Sequence, residues 1–206
     1  SRHHGLSFGA FLIPTNHAVW IDVPGIERKE GTSYYNEDEI DAIVDTLRAI
    51  RASEGWENFV ASERTVKEIG VISFYGSQTS RLRDRLTGEL DLRELQCRVR
   101  PVDKFQGMER DIVIVSLVRS SRREEETGGR KRNYGIGFAK DYRRINVAFS
   151  RARRLLVIVG DRQHFCRQDD TEASGYYRRI WDTISNRGAT RTCEQLVAAL
   201  ERGGMA

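Results

Sequence analysis

Between Asp141 and Asp161 the chain reads DYRRINVAFSRARRLLVIVGD, with five arginines at positions 143, 144, 151, 153 and 154. A guanidinium stays charged at every accessible pH and offers a planar fork of donors that matches phosphate or carboxylate oxygens two at a time. A solvated helix face more often mixes Lys with Glu at i,i+4 spacing, and here no acid stands between Asp141, a natural helix cap, and Asp161. Two chemistries are open for such a segment: recognition of an anion, or salt bridges to acids elsewhere in the chain. At about 100° per residue, Arg144, Ala148 and Arg151 share one face of a helix, while Ile145, Phe149 and Ala152 form another. The apolar face would anchor the helix, and Ala148 would let a partner surface come close between two arginines. Arg143, Arg153 and Arg154 read as ordinary surface charge.

A second stretch, VDKFQGMERDIVIVS from Val102 to Ser116, sets Gln106, Gly107 and Glu109 just ahead of an apolar strand. Gly107 permits close backbone approach to a ligand, and the plain alternative is a tight connection with solvated side chains. Phe105 reads as a core residue. Other chemistries lack their residues. No G-x-x-x-x-G-K-[ST] phosphate loop occurs, and no acidic pair follows an apolar strand to hold magnesium. His3, His4, His17 and His164 show no metal-ligand spacing, so no metal site is expected. Cys97, Cys166 and Cys193 form no C-x-x-C, which argues against a disulfide framework and for a reducing, cytoplasmic setting.

The elements that must position these residues follow from pattern. His17–Val23 alternates and stops at Pro24-Gly25; Ile69–Tyr75, Asp111–Val118 and Leu155–Val159 are strand-sized apolar runs. Asn36, with Glu39 as reciprocal partner, caps a helix carrying Ile40, Ile43, Val44, Leu47 and Ile50. A helix with Leu82 and Leu86 follows the second strand, and helices close the chain. Strands that alternate with helices, several of them almost wholly apolar, predict an α/β fold, a parallel sheet covered by helices on both faces. Ligands then belong beyond the carboxyl ends of the strands, near Tyr75-Gly76, Arg119 and Gly160-Asp161, with the 102–109 loop as a further place.

The chain has 206 residues and a net charge of +4, with six basic residues and one acid from Lys140 to Arg154. That asymmetry favours phosphate or nucleic acid as partner. No apolar run reaches membrane length. Residues 1–17 give no clear element, 18–168 make the main domain with a charged surface loop over 119–134, and 169–206 read as a helical extension. The start on Ser1 gives the expectation of a segment from a longer protein.

Together VDKFQGMERDIVIVSLVRS and GIGFAKDYRRINVAFSRARRLLVIVGD resemble motifs V and VI of superfamily 1 helicases of the up-frameshift/DNA2-like group. VISFYGSQ is similar to their motif IV, and SYYNEDEIDAIV to the approach to the first helix of their second motor domain. Phe74, Pro101 and Ser150 stand where that family usually has Pro, a hydroxyl residue and Thr.

The resemblance implies a RecA-like second motor domain without its own P-loop. It would be part of an ATP-dependent helicase and inactive as an isolated fragment. ATP would sit against the first RecA-like domain of the same parent chain, which would hold Mg2+. Arg151 would be the arginine finger. Gly107 and Glu109 would lie near the γ-phosphate and ribose, Arg144 would bind at the nucleotide in support of the finger or else form a salt bridge, and Gln106 would couple nucleotide to nucleic acid. Ser73, Tyr75, Gln78, Asp103 and Lys104 would face single-stranded DNA or RNA. A non-catalytic RecA-like module binding nucleic acid or protein is the alternative.

Overall fold

The computed structural model describes residues 3–62, 68–123, 135–167 and 172–203. Six strands form one sheet: β5 (Cys97–Pro101), β4 (Ile69–Ser73), β6 (Arg110–Ser116), β8 (Ala152–Gly160), β1 (Ala18–Asp22) and β9 (Thr190–Thr192), in that order. Every neighbouring pair is parallel. A row of β-branched residues in register, Val71, Ile114, Val157 and Val19, crosses four strands and is buried throughout. Burial on both faces is why the central stretches of these strands, such as Ile112–Val115 and Leu155–Val159, are continuous apolar runs and do not alternate.

Connections that step toward β5 carry α1 (Glu37–Arg51) and α3 (Gly76–Gly88). Those that step toward β9 carry the 102–109 crossover, α4 (Tyr142–Phe149) and α6 (Glu172–Ser185). Because parallel crossovers are right-handed, the two sets cover opposite faces. α7 (Cys193–Glu201) packs on α1, while Tyr177 of α6 meets Phe149 of α4 at 6.0 Å and Trp20 of β1 at 6.5 Å. Short helices α2 (Trp56–Ala61) and α5 (Arg162–Phe165) complete the layers. The expected α/β, RecA-like arrangement is the one observed. None of the described helices is long and apolar enough to cross a membrane.

Several features depart from the sequence reading. A hairpin of β2 (Ile26–Glu30) and β3 (Ser33–Asn36), joined by β7 (Arg122–Arg123), makes a second small sheet that carries no hydrophobic alternation. The N-terminal segment is ordered over its described residues: Leu6, Phe8, Phe11 and Leu12 are buried. The His4 ring accepts from Leu6 N–H through Nδ1, so its Nε2–H faces the carbonyls of Ile13 and Asn16 at 3.1 and 3.2 Å. The C-terminal segment is not helical alone, since β9 adds an edge strand to the main sheet. The 119–134 loop begins buried: Arg119 and Ser120 lie in the interior, and 124–134 fall outside the described residues. Asn36 does cap α1, accepting from Glu39 N–H at 3.3 Å. The reciprocal bond does not form, because the Asn36 N–H is taken by Gln78 Oε1 and the Glu39 carboxylate turns to Ser116 and Val118.

Candidate functional site

A parallel sheet has two distinct ends, and the sequence candidates divide between them. After β5 the chain must return to the amino end of the sheet before it can start β6. It does so by laying Phe105 across Gly70 of β4, where an added Cβ would stand 2.6 Å from Phe105 Cζ. The return delivers Gln106, Gly107 and Glu109 to the amino end. There Arg110 N–H donates to the Arg151 carbonyl at 3.0 Å, and Arg110 pairs with Ala152 in register. Gln106, Gly107, Glu109 and Arg151 therefore meet at one edge, opposite to the end where open α/β sheets usually gather ligands. Gly107 has φ 80 and nothing within 4 Å of where a Cβ would stand, so its backbone is open to a close approach.

The helical wheel fails at this point. α4 ends at Phe149 with Ser150 as its cap, so Arg151 lies beyond the helix, and Ala148 is fully buried. No face of α4 presents Arg144 and Arg151 together. Of the five arginines, three form salt bridges: Arg144 to both carboxylate oxygens of Asp103 at 3.0 Å, Arg153 to Glu109 at 3.0 Å, and Arg154 to buried Asp111 at 3.1 Å. Arg154 is therefore not plain surface charge. Arg143 is exposed in the first turn of α4, below the Asp141 cap. Arg151 differs from all of them. Its Nη2 donates to the Ser150 hydroxyl at 3.0 Å, and its buried Nε finds no partner among the described residues. An unsatisfied buried donor is costly unless something else completes it.

At the carboxyl end, Ser73, Tyr75 and Gln78 are 0, 2 and 0 % exposed. Their side chains, expected to face a nucleic-acid strand, are engaged inside. Ser73 Oγ accepts from Tyr75 N–H, and Tyr75 OH accepts from Phe138 N–H at 3.2 Å. Gln78 accepts from Asn36 N–H at 2.9 Å and donates to the Asn36 carbonyl and to Ser116 Oγ. Asp103 and Lys104 are exposed in a 3-10 turn, and Arg144 reaches from α4 to bind Asp103 while lying 5.1 Å over the Phe138 ring.

The interior behind these residues was not foreseen. Arg119 is buried against Glu27, with Nε to Oε2 at 2.7 Å and Nη2 to Oε1 at 3.2 Å, and its Nη1 reaches Tyr75 OH. Burial pushes the Glu39 carboxyl up to about 8, although Ser116 Oγ and Val118 N–H donate to it. Burial also acts to raise Asp161, but donation from the Ser121 and His164 N–H groups and from the Ser121 and Ser120 hydroxyls holds it below the usual carboxylate range. The one available sequence signal for this network was a charged residue flanking each buried run. Nothing in the sequence paired them.

A family model for an AAA domain matches residues 3–163. DNA polymerase alpha-associated DNA helicase A of Saccharomyces cerevisiae is 37% identical over 150 residues, 69% of this chain and 19% of that protein. Helicase sen1 of Schizosaccharomyces pombe is 35% identical over 144 residues, 68% of this chain and 8% of its own length. The Regulator of nonsense transcripts 1 homolog of Arabidopsis thaliana is 34% identical over 134 residues, 64% of this chain and 9% of its own. The chain thus spans less than a fifth of the length of these relatives. The domain match, these relatives and the parallel sheet give one answer: the chain belongs to the superfamily 1 helicases of the up-frameshift/DNA2-like group.

Proposed function

We propose that this chain is the second motor domain of an ATP-dependent DNA or RNA helicase or translocase, with Arg151 as its arginine finger. The observation that carries the reading is the Arg151 guanidinium. It stands at an open edge beside Gly107 and Glu109, and its buried Nε lacks a partner among the described residues. A γ-phosphoryl oxygen delivered by a neighbouring domain would meet the Nη groups, whose one partner among the described residues is the exposed Ser150 hydroxyl. As charge builds on that oxygen during transfer, the fixed guanidinium lowers the barrier; arginine fingers are worth about 10³–10⁵ in rate. The Gly107 backbone and Glu109 form the adjoining wall, and exposed Gln106 stands where nucleotide state can be passed on to the 102–109 crossover.

Arg144, expected either in support of the finger or in a salt bridge, forms the salt bridge. Bound to Asp103, it ties the 3-10 turn after β5 to α4, so that the nucleotide edge and the nucleic-acid side move as one body. Mg2+ would pair the charges of the triphosphate. In this reading its ligands belong to the first motor domain. Ser73, Tyr75 and Gln78 act from the interior, shaping the surface that a strand crosses.

The test is nucleotide turnover. This chain alone should hydrolyse no ATP, and joined to its preceding motor domain it should do so with stimulation by single-stranded DNA or RNA. Motor-like turnover by the chain alone would refute the assignment.

A further inference from the structure

The nucleic-acid side of this reading lacks direct contacts, because three of its five expected residues are buried. We infer that Phe138, Tyr142 and Tyr176 form a base-stacking platform for single-stranded nucleic acid. Phe138 and Tyr142 are 53 and 60 % exposed and are two of the five exposed large hydrophobics among the described residues. They stand one turn apart at the carboxyl end of the sheet, and Asp141 N–H donates to the Phe138 carbonyl between them. Neither is loose. Phe138 is held from below by its N–H bond to Tyr75 OH, by the Tyr75 ring at 5.5 Å and by the Arg144 guanidinium. Tyr142 lies 5.5 Å from the Tyr176 ring, which Arg179 covers at 4.7 Å. Rings fixed at the back and bare in front suit stacking, because little side-chain entropy is lost on binding.

Charge selects the partner. Lys104, Lys140 and Arg143 are exposed around the rings. Of the nearby acids, Asp103 is paired with Arg144, while Asp141 accepts from the Arg143 N–H and Glu172 from the Tyr176 hydroxyl at 3.1 Å and both keep their charge, against Lys104, Lys140, Arg143 and Arg179. A protein interface would also use aromatics, but an excess of positive charge beside exposed rings matches a phosphate backbone with its bases turned inward. Stacking reads no sequence, as a translocating motor requires.

This inference rests on the nucleic-acid part of the proposed function and is tested apart from ATP chemistry. The anisotropy of a labelled oligothymidine would be followed on titration with this chain, alongside an abasic oligomer of equal length. Phe138→Ala and Tyr142→Ala should each raise Kd for oligothymidine by about five-fold or more while leaving its salt dependence unchanged. Both variants should bind the abasic oligomer as the wild type does, and Phe138→Trp should keep wild-type affinity. Lys140→Ala should instead weaken both oligomers and flatten the salt slope. If Phe138→Ala proves unstable in thermal unfolding, Tyr142→Ala and Phe138→Trp decide. Wild-type binding with both alanine variants within about two-fold would overturn the platform and leave the motor reading intact. Absence of any oligonucleotide binding would overturn the platform and the nucleic-acid reading together, and neither result bears on Arg151.

Discussion

Both carboxylate oxygens of Glu39 accept from the backbone N–H of Val118, at 2.8 and 3.0 Å, and hold that valine at φ 74. No other non-glycine among the described residues has positive φ. A β-branched residue there is strained by roughly 1–3 kcal/mol and persists only when its surroundings fix it. Here Asn36 Nδ2 also donates to the Val118 carbonyl, and Ser116 Oγ donates to Glu39 at 2.6 Å. The first turn of α1 thus clamps the end of β6, and the sharp exit aims Arg119 beneath Tyr75.

The clamp predicts a pH dependence. With its folded pKa near 8 against an ordinary 4.5, Glu39 holds its proton more firmly in the folded chain. Stability from this group is therefore full below the unfolded value and falls as pH rises through that window, because the unfolded chain ionises first. Glu39→Gln keeps an acceptor for Val118 N–H but cannot ionise. Its midpoint of thermal unfolding should gain on the wild type from the acid end of the window to the alkaline end. A difference that does not change with pH would contradict the assignment.

The main sheet was legible because Ile69–Ile72, Ile112–Val115 and Leu155–Val159 are unbroken runs without a polar side chain, as strands buried on both faces require. Arg151 was legible as a motif residue, but the geometry assigned to it was not. A wheel drawn through Ala152 assumes a helix that stops at Phe149, since β8 must begin at Ala152 to pair with Arg110. The β2–β3 hairpin was hidden because IERKE carries no alternation; it is held on α3 by side chains such as Arg81, which pairs with Glu30 and Glu37 and covers the Tyr35 ring. Ser73, Tyr75 and Gln78 were read as surface groups because polarity does not show whether a hydrogen-bond partner lies inside.

The Arg119–Glu27 pair should be costly to break. Its side chains are 5 and 3 % exposed, so removing either partner strands a buried charge. Arg119→Met or Glu27→Gln alone should lower unfolding free energy by about 3–5 kcal/mol in urea titrations, and the double variant should lose less than the sum. Additive losses would show that the two residues act independently.

Gly70 sets the depth of the crossover that carries Gln106 to Glu109. Gly70→Ala drives a methyl into the buried Phe105 ring and should cost about 1–3 kcal/mol. Adding Phe105→Leu should recover part of that loss. No change in urea midpoint for Gly70→Ala would mean the crossover packs more loosely than described.

The central claim is that Arg151 completes a nucleotide site supplied by another domain. The direct measurement is steady-state ATP turnover by the parent protein carrying Arg151→Ala, with its thermal unfolding midpoint recorded on the same preparation. Turnover should fall by about 10³-fold or more with the midpoint nearly unchanged, because the side chain's one hydrogen-bond partner among the described residues is the Ser150 hydroxyl. A variant that unfolds at much lower temperature while the folded fraction keeps wild-type turnover would contradict the account and make Arg151 a structural residue.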